Sequence, residues 1–169
     1  MSSSTTRRGP YPYDAPADAT EVAPRLWLGN RGAALSGTWL EDHDIGAIFN
    51  CTKDLPFLHP DDPRVRRYRV PVDDDLSDRE VNALALWAPE VVSKLAREYQ
   101  RGEPVLVHCA AGMQRSAAVC AMFLMAVEGV SRQHAVGYLR SLRPIAFFPA
   151  ANFAGALRRW EAALQAARR

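Results

Sequence analysis

Residues 105–116 read Val-Leu-Val-His-Cys-Ala-Ala-Gly-Met-Gln-Arg-Ser, and this stretch holds the reactive groups that decide the chemistry of the chain. An apolar run ending at Val107 delivers Cys109 onto a short loop, Arg115 follows, and Ser116 adds a hydroxyl. Residues 117–127 then read as a helix. A strand end, a loop of backbone N–H groups and a helix N-terminus together make an anion cradle. The N–H groups converge on one point, and the helix dipole adds partial positive charge there. The same field stabilises a thiolate, so Cys109 is expected to be ionised at neutral pH. Arg115 supplies the planar fork that grips two phosphate oxygens at once. A nucleophilic sulfur beneath a phosphate cradle predicts phosphoryl transfer to cysteine, with Ala110, Ala111, Gly112, Met113, Gln114 and Arg115 as the phosphate-binding loop.

The pattern His-Cys-x-x-Gly-x-x-Arg-Ser resembles the signature of the cysteine-dependent protein phosphatases, in particular the small dual-specificity branch. The resemblance runs from about residue 22 to residue 164. Arg25-Leu26-Trp27-Leu28-Gly29-Asn30 is similar to the opening strand and turn of that family, and Ile48-Phe49-Asn50-Cys51-Thr52 to its second strand. Val70-Pro71-Val72-Asp73-Asp74 resembles its general-acid loop, and Arg143-Pro144 followed by Pro149 and Phe153 resembles the segment leading into its last helix. Residues 103–125 are also similar to the compact poxviral members. The resemblance implies hydrolysis of phosphotyrosine and of phosphoserine or phosphothreonine in proteins, through a phosphocysteine intermediate and with no cofactor or metal.

Attack by Cys109 on a phosphomonoester expels an alkoxide or phenoxide, which needs a proton. A carboxylic acid can give it and later activate water. Asp73, Asp74 and Asp75 are the candidates. The family places its acid three residues after a proline, which points from Pro71 to Asp74, with Asp73 as the alternative. In the family a hydroxyl following the arginine hydrogen-bonds the departing thiolate, a role that falls to Ser116. A simple cap on the helix that begins there is the other role open to it. His108 and Gly112 read as scaffold, the glycine allowing a positive φ. The family's Pro-Asn pair is replaced by Pro149-Ala150-Ala151-Asn152, so either Asn152 fills the supporting role or that hydrogen bond is lost.

Other polar residues take plainer readings. Cys120 lies among Ala118, Val119, Met122 and Phe123 and reads as core, while His43, His59 and His134 show no metal-ligand spacing. Cys51 is a small buried thiol or, as in some relatives, a reversible disulfide partner for the nucleophile. Arg64, Arg66, Arg67 and Arg69 form a basic run that either steers acidic substrates or is a solvated strand face.

The variable loop positions Ala110, Ala111, Met113 and Gln114 include no lysine. That argues against a phosphoinositide substrate, whose relatives meet extra phosphates with lysines. RNA 5′-triphosphate and glucan substrates are disfavoured by the same comparison of loops and length. Phosphorylated proteins are therefore the expected partners. A phosphoprotein-binding pseudophosphatase is the competing reading, opposed by the presence of Cys109, Arg115 and candidate acids.

The elements that must position these groups read as α/β, a central and mainly parallel twisted sheet flanked by helices. Strands are expected at residues 25–28, 47–51, 65–70 and 105–108. A helical stretch over 78–99 carries Val81, Leu84, Ala88, Val91, Leu95 and Tyr99 on one face and is expected to be broken or kinked at Pro89. Ser131 is a candidate N-cap for a helix to residue 142. Phe153, Leu157, Trp160, Leu164 and Ala167 make a terminal apolar stripe. Residues 1–20, rich in Ser, Thr, Pro and Asp, read as a disordered tail before one domain over 21–169.

Hydrophobic residues make up 48% of the 169, enough for one sizeable core, and the net charge of +2 is too mild for a nucleic-acid binder. The apolar run over 117–127 is too short to span a membrane. Three cysteines, an odd number, and the lack of a signal-peptide pattern lead to the expectation of a reducing, cytoplasmic setting.

Overall fold

The computed structural model describes residues 17–169. Five strands, β1 (Ala19–Ala23), β2 (Leu26–Gly29), β3 (Ala47–Asn50), β4 (Arg66–Arg69) and β5 (Val105–His108), form one sheet in the order β1-β2-β5-β3-β4. β1 pairs antiparallel with β2, and every other pairing is parallel. The fold class is as the sequence implied. Strand β1 was not foreseen and begins at Ala19, so residues 17–20 belong to the fold rather than to the expected tail. The rest of that expected tail, residues 1–16, lies outside the described residues.

Both faces of the sheet are covered, which explains the near-continuous apolar strands. Leu26, Leu28, Ala47, Phe49, Val105 and Val107 face the main core. The alternate residues Ile48 and Leu106 join a smaller cluster with Trp27, Trp39 and Leu40 on the other face. That face is covered by the short helices α1 (Arg31–Ala34) and α2 (Gly37–Asp42). The main core is closed by α3 (Asp78–Gln100), α4 (Arg115–Glu128), α5 (Arg132–Leu142) and α6 (Ala154–Ala167).

Helix α4 runs through the middle of this layer, with every residue from Ser116 to Met125 buried. It packs on α3, α5 and α6 at once. Such a helix can be apolar all round. Helix α3 is continuous through Pro89, so of the two expected forms the structure has one helix rather than two. Pro89 and Glu90 are exposed, and the core contacts of Leu84, Ala88, Val91 and Leu95 hold the helix together. Ser131 caps α5, its side chain accepting from the His134 N–H. The stripe on α6 buries Phe153 and Leu157, packs Trp160 and Leu164 against the core, and ends before the exposed Ala167.

Candidate active site

β5 lies between β2 and β3, and its carboxyl end delivers Cys109. The backbone there is gripped from both sides. The Cys51 N–H donates to His108 O at 2.8 Å, and the Cys109 N–H reaches Gly29 O at 3.4 Å. The loop to Arg115 is then turned by donors from outside it. Ala110 O accepts from the Arg31 N–H at 3.1 Å, Met113 O from the Phe147 N–H at 2.8 Å, and Gly112 O from Arg143 Nε at 2.9 Å. A trans peptide places the next N–H opposite its carbonyl. Tying Gly112 O outward therefore turns the Met113 N–H inward, where it lies against the Cys109 sulfur.

Gly112 has φ +65°, and a Cβ there would stand 2.7 Å from Gly29 O and 2.8 Å from Arg143 Nη2. Both the conformation and the close approach demand glycine. Arg143 is itself buried, and its Nη1 donates to Ala17 O at 2.7 Å and to Thr20 Oγ1 at 3.1 Å. It fastens the first strand and the loop to one another. Arg143 was legible in the sequence only as part of a family segment. Its work beneath the loop needed the fold to be seen.

Cys109 Sγ lies 3.0 Å from Ser116 Oγ, and both residues are buried. Burial pushes the thiol up. The Ser116 hydroxyl, the Ser116 N–H, the Arg115 guanidinium and the Met113 N–H together pull it below the ordinary thiol value. Cys51 and Cys120, equally buried but without such donors, are pushed the other way. Ser116 is not a helix cap, contrary to the alternative role open to it in the sequence. α4 begins at Arg115 with Gln114 in the cap position, and the hydroxyl points at the sulfur. His108, next to the nucleophile, is held neutral, burial lowering it to about 4.

Arg115 Nη1 donates to Val72 O at 3.1 Å and so joins the cradle to the segment bearing the aspartates. Asp73 is occupied, with Lys53 Nζ 3.2 Å from its carboxylate and its N–H donating to Glu80 Oε2 at 3.0 Å. Lys53 also pairs with Glu80 at 2.5 Å, and this pairing holds the Glu80 carboxyl below its ordinary range. Glu80 is the fourth residue of the Ser77-x-x-Glu80 box, a capping signature. Ser77 caps the Glu80 N–H in the usual way, but the Glu80 carboxylate turns to anchor the acid loop instead of the cap. Asp75 Oδ1 accepts from the Ser77 N–H. Asp74 is exposed, with Oδ1 accepting from Asn152 Nδ2 at 2.9 Å.

The four arginines before this segment each have partners within the protein. Arg64 pairs with Asp62, and Arg66 with Glu98 and Glu103. Arg67 donates to the carbonyls of Leu58, His59, Asp62 and Val65, and Arg69 to those of Thr52 and Leu55. Arg66, Arg67 and Arg69 brace the segments around β4, while Arg64 stays largely exposed. Among the described residues no group of three His, Cys, Asp or Glu could hold a metal ion, and no helix is long and apolar enough to cross a membrane.

A family model described as the dual specificity phosphatase catalytic domain matches residues 26–163. Human dual specificity phosphatase 28 is 35% identical over 151 residues, covering 89% of this chain and 82% of its own. Dual specificity protein phosphatase 1 of Arabidopsis thaliana is 30% identical over 140 residues, covering 83% of this chain and 67% of its own. The crystal structure of human dual specificity phosphatase 28 superposes with a TM-score of 0.77 at 32% identity, covering 89% of this chain and 97% of the other. The tyrosine phosphatase OH1 of Orf virus superposes with a TM-score of 0.67 at 26% identity, covering 88% of each chain.

Proposed function

This chain belongs to the dual specificity phosphatase catalytic-domain family and is a cysteine-dependent protein phosphatase; on that premise we propose that Cys109 takes the phosphoryl group of phosphotyrosine and of phosphoserine or phosphothreonine in proteins. The Cys109 sulfur attacks phosphorus in line as the phosphorus–oxygen bond to the side chain breaks. The leaving oxygen takes the proton of Asp74. Water, deprotonated by the same carboxylate, then attacks the phosphocysteine, and the thiolate leaves with Ser116 Oγ donating to it.

The observation that carries this reading is the 3.0 Å contact between Cys109 Sγ and Ser116 Oγ inside the outward-tied loop. It supports a sulfur that is a thiolate when substrate arrives and a good leaving group afterwards. Arg115, with its Nη1 on Val72 O, grips the phosphoryl oxygens while holding the acid loop beside them. The loop side chains Ala110, Ala111 and Met113 are small or neutral, which supports a phosphoprotein over a substrate carrying several phosphates. The occupation of Asp73 by Lys53 supports Asp74 as the acid. Three free cysteines support a reducing, cytoplasmic setting.

The reading is tested with Cys109→Ser on para-nitrophenyl phosphate and on phosphopeptides. Turnover is expected to vanish while inorganic phosphate still binds, because the loop N–H groups and Arg115 remain. Mass spectrometry of acid-quenched wild-type protein should show one added phosphate on the peptide containing Cys109. Full turnover by the Ser variant removes Cys109 from the mechanism.

A further inference from the structure

The side chains of Gln114 and Asn152 have no part in the steps above, yet they stand in line between the phosphate loop and the acid. Gln114 is buried at 4% exposure. A buried amide must satisfy both of its ends, and this one spends all of them on one segment. Its Nε2 donates to Phe148 O at 3.2 Å and to Ala150 O at 2.8 Å, and its Oε1 accepts from the Asn152 N–H at 2.9 Å. The backbone of Asn152 is thereby fixed to the phosphate loop. Its side chain then crosses to Asp74, donating from Nδ2 to Oδ1 at 2.9 Å.

We infer that Gln114 and Asn152 are positioning residues that set the Asp74 carboxyl for proton transfer, through the chain Gln114 amide to Asn152 backbone, and Asn152 amide to Asp74 Oδ1. The inference rests on the assignment of Asp74 as the acid. Asp74 is exposed, and among the described residues its side chain has one hydrogen bond, the one from Asn152. Without it the carboxyl turns freely in water and spends little time aimed at the leaving oxygen. With it, Oδ1 is committed as an acceptor, so the transferable proton resides on Oδ2. The backbone just before it is already anchored, by Arg115 on Val72 O and by Glu80 on the Asp73 N–H. The Asn152 contact adds what those anchors lack, the orientation of the side chain itself.

The same geometry accounts for the two alanines that separate Pro149 from Asn152. The longer turn puts the Asn152 side chain over the acid loop and leaves the grip on the phosphate loop to Gln114.

Asn152→Ala should lower kcat about tenfold on a phosphothreonine peptide, whose alkoxide needs the proton, with little change in KM. The loss on para-nitrophenyl phosphate, whose leaving group needs little protonation, should be several-fold smaller. Gln114→Met, which keeps the length and removes the amide, should show the same split. In an Asp74→Asn background Asn152→Ala should cost nothing more, because the group it positions is already gone. Equal losses on both substrates, or losses that multiply in the double variant, would assign both residues to packing and overturn the inference. If Asp74→Asn discriminates between the substrates and Asn152→Ala does not, the positioning chain alone falls. If Asp74→Asn does not discriminate, the acid assignment falls and takes the chain with it.

Discussion

Ser116 Oγ sits 3.0 Å from Cys109 Sγ, one residue into a helix whose cap position belongs to Gln114. A hydroxyl placed there donates to a thiolate and has no capping duty to share. Ser116→Ala should therefore push the thiol's pKa up, since a donor to its charged form is lost. The rate of alkylation by iodoacetamide, followed against pH, should move its midpoint upward. Rapid mixing with para-nitrophenyl phosphate should show a burst of nitrophenol followed by slow turnover, because phosphocysteine hydrolysis is slowed more than its formation. An unchanged midpoint together with no burst removes Ser116 from the chemistry.

Asp73 and Asp74 are neighbours with different partners, Lys53 for the first and Asn152 for the second. Asp74→Asn should lower kcat by roughly 10² on substrates with poor leaving groups. Asp73→Asn breaks the contact with Lys53 and should leave the dependence on leaving-group acidity unaltered. A plot of kcat against leaving-group pKa for each variant separates them. A steepened slope for Asp73→Asn would shift the acid by one residue.

Arg143 is buried beneath the loop with its Nε on Gly112 O. Arg143→Met strands that carbonyl and Ala17 O without a donor. The expected cost is about 1–3 kcal/mol, a fall in Tm of roughly 3–10 °C. The freed Gly112–Met113 peptide should also weaken vanadate inhibition. Thermal unfolding and a vanadate titration check the two effects separately, and a variant as stable and as readily inhibited as the parent contradicts both.

His108 gives the fold an acid limit of its own. Its folded value is about 4, below the 6.5 of an unfolded histidine, so between those values the unfolded chain binds the extra proton. The stability that neutral His108 permits is full above pH 6.5 and is lost as pH falls toward 4. The loss reaches about 3 kcal/mol at most, on the scale of 1.36 kcal/mol per unit. Urea unfolding at pH 7.5 and pH 5 should show a smaller difference for His108→Asn than for the parent.

The loop that carries Cys109 was legible because its signals are local: an apolar strand, a small-residue loop and a helix at fixed offsets. The sheet's parallel core was legible for a similar reason, as residues 105–107 and 47–49 are apolar at successive positions. β1 was not, because an edge strand carrying Thr20 and Glu21 lacks that pattern. Nor does the sequence say where a guanidinium ends. Arg67 and Arg69 turn inward onto carbonyls of a loop that closes only in three dimensions. The contacts that bear on Asp73 and Asp74 come from Lys53 and Asn152, which are distant from them in sequence. Pro89 left one helix or two open, because its effect depends on which side of the helix it faces, and it faces water.

β5 has a parallel neighbour on each side and core against both faces, so Cys109 hangs from a strand that cannot easily open by itself. Backbone amides of Val105 to His108 should then exchange with deuterium only when the whole domain opens. Fraying at β1 or at the end of α6 leaves the sulfur where it was. Inactivation by denaturant should follow the same curve as loss of the fold, with no stretch in which a structured but inert protein accumulates.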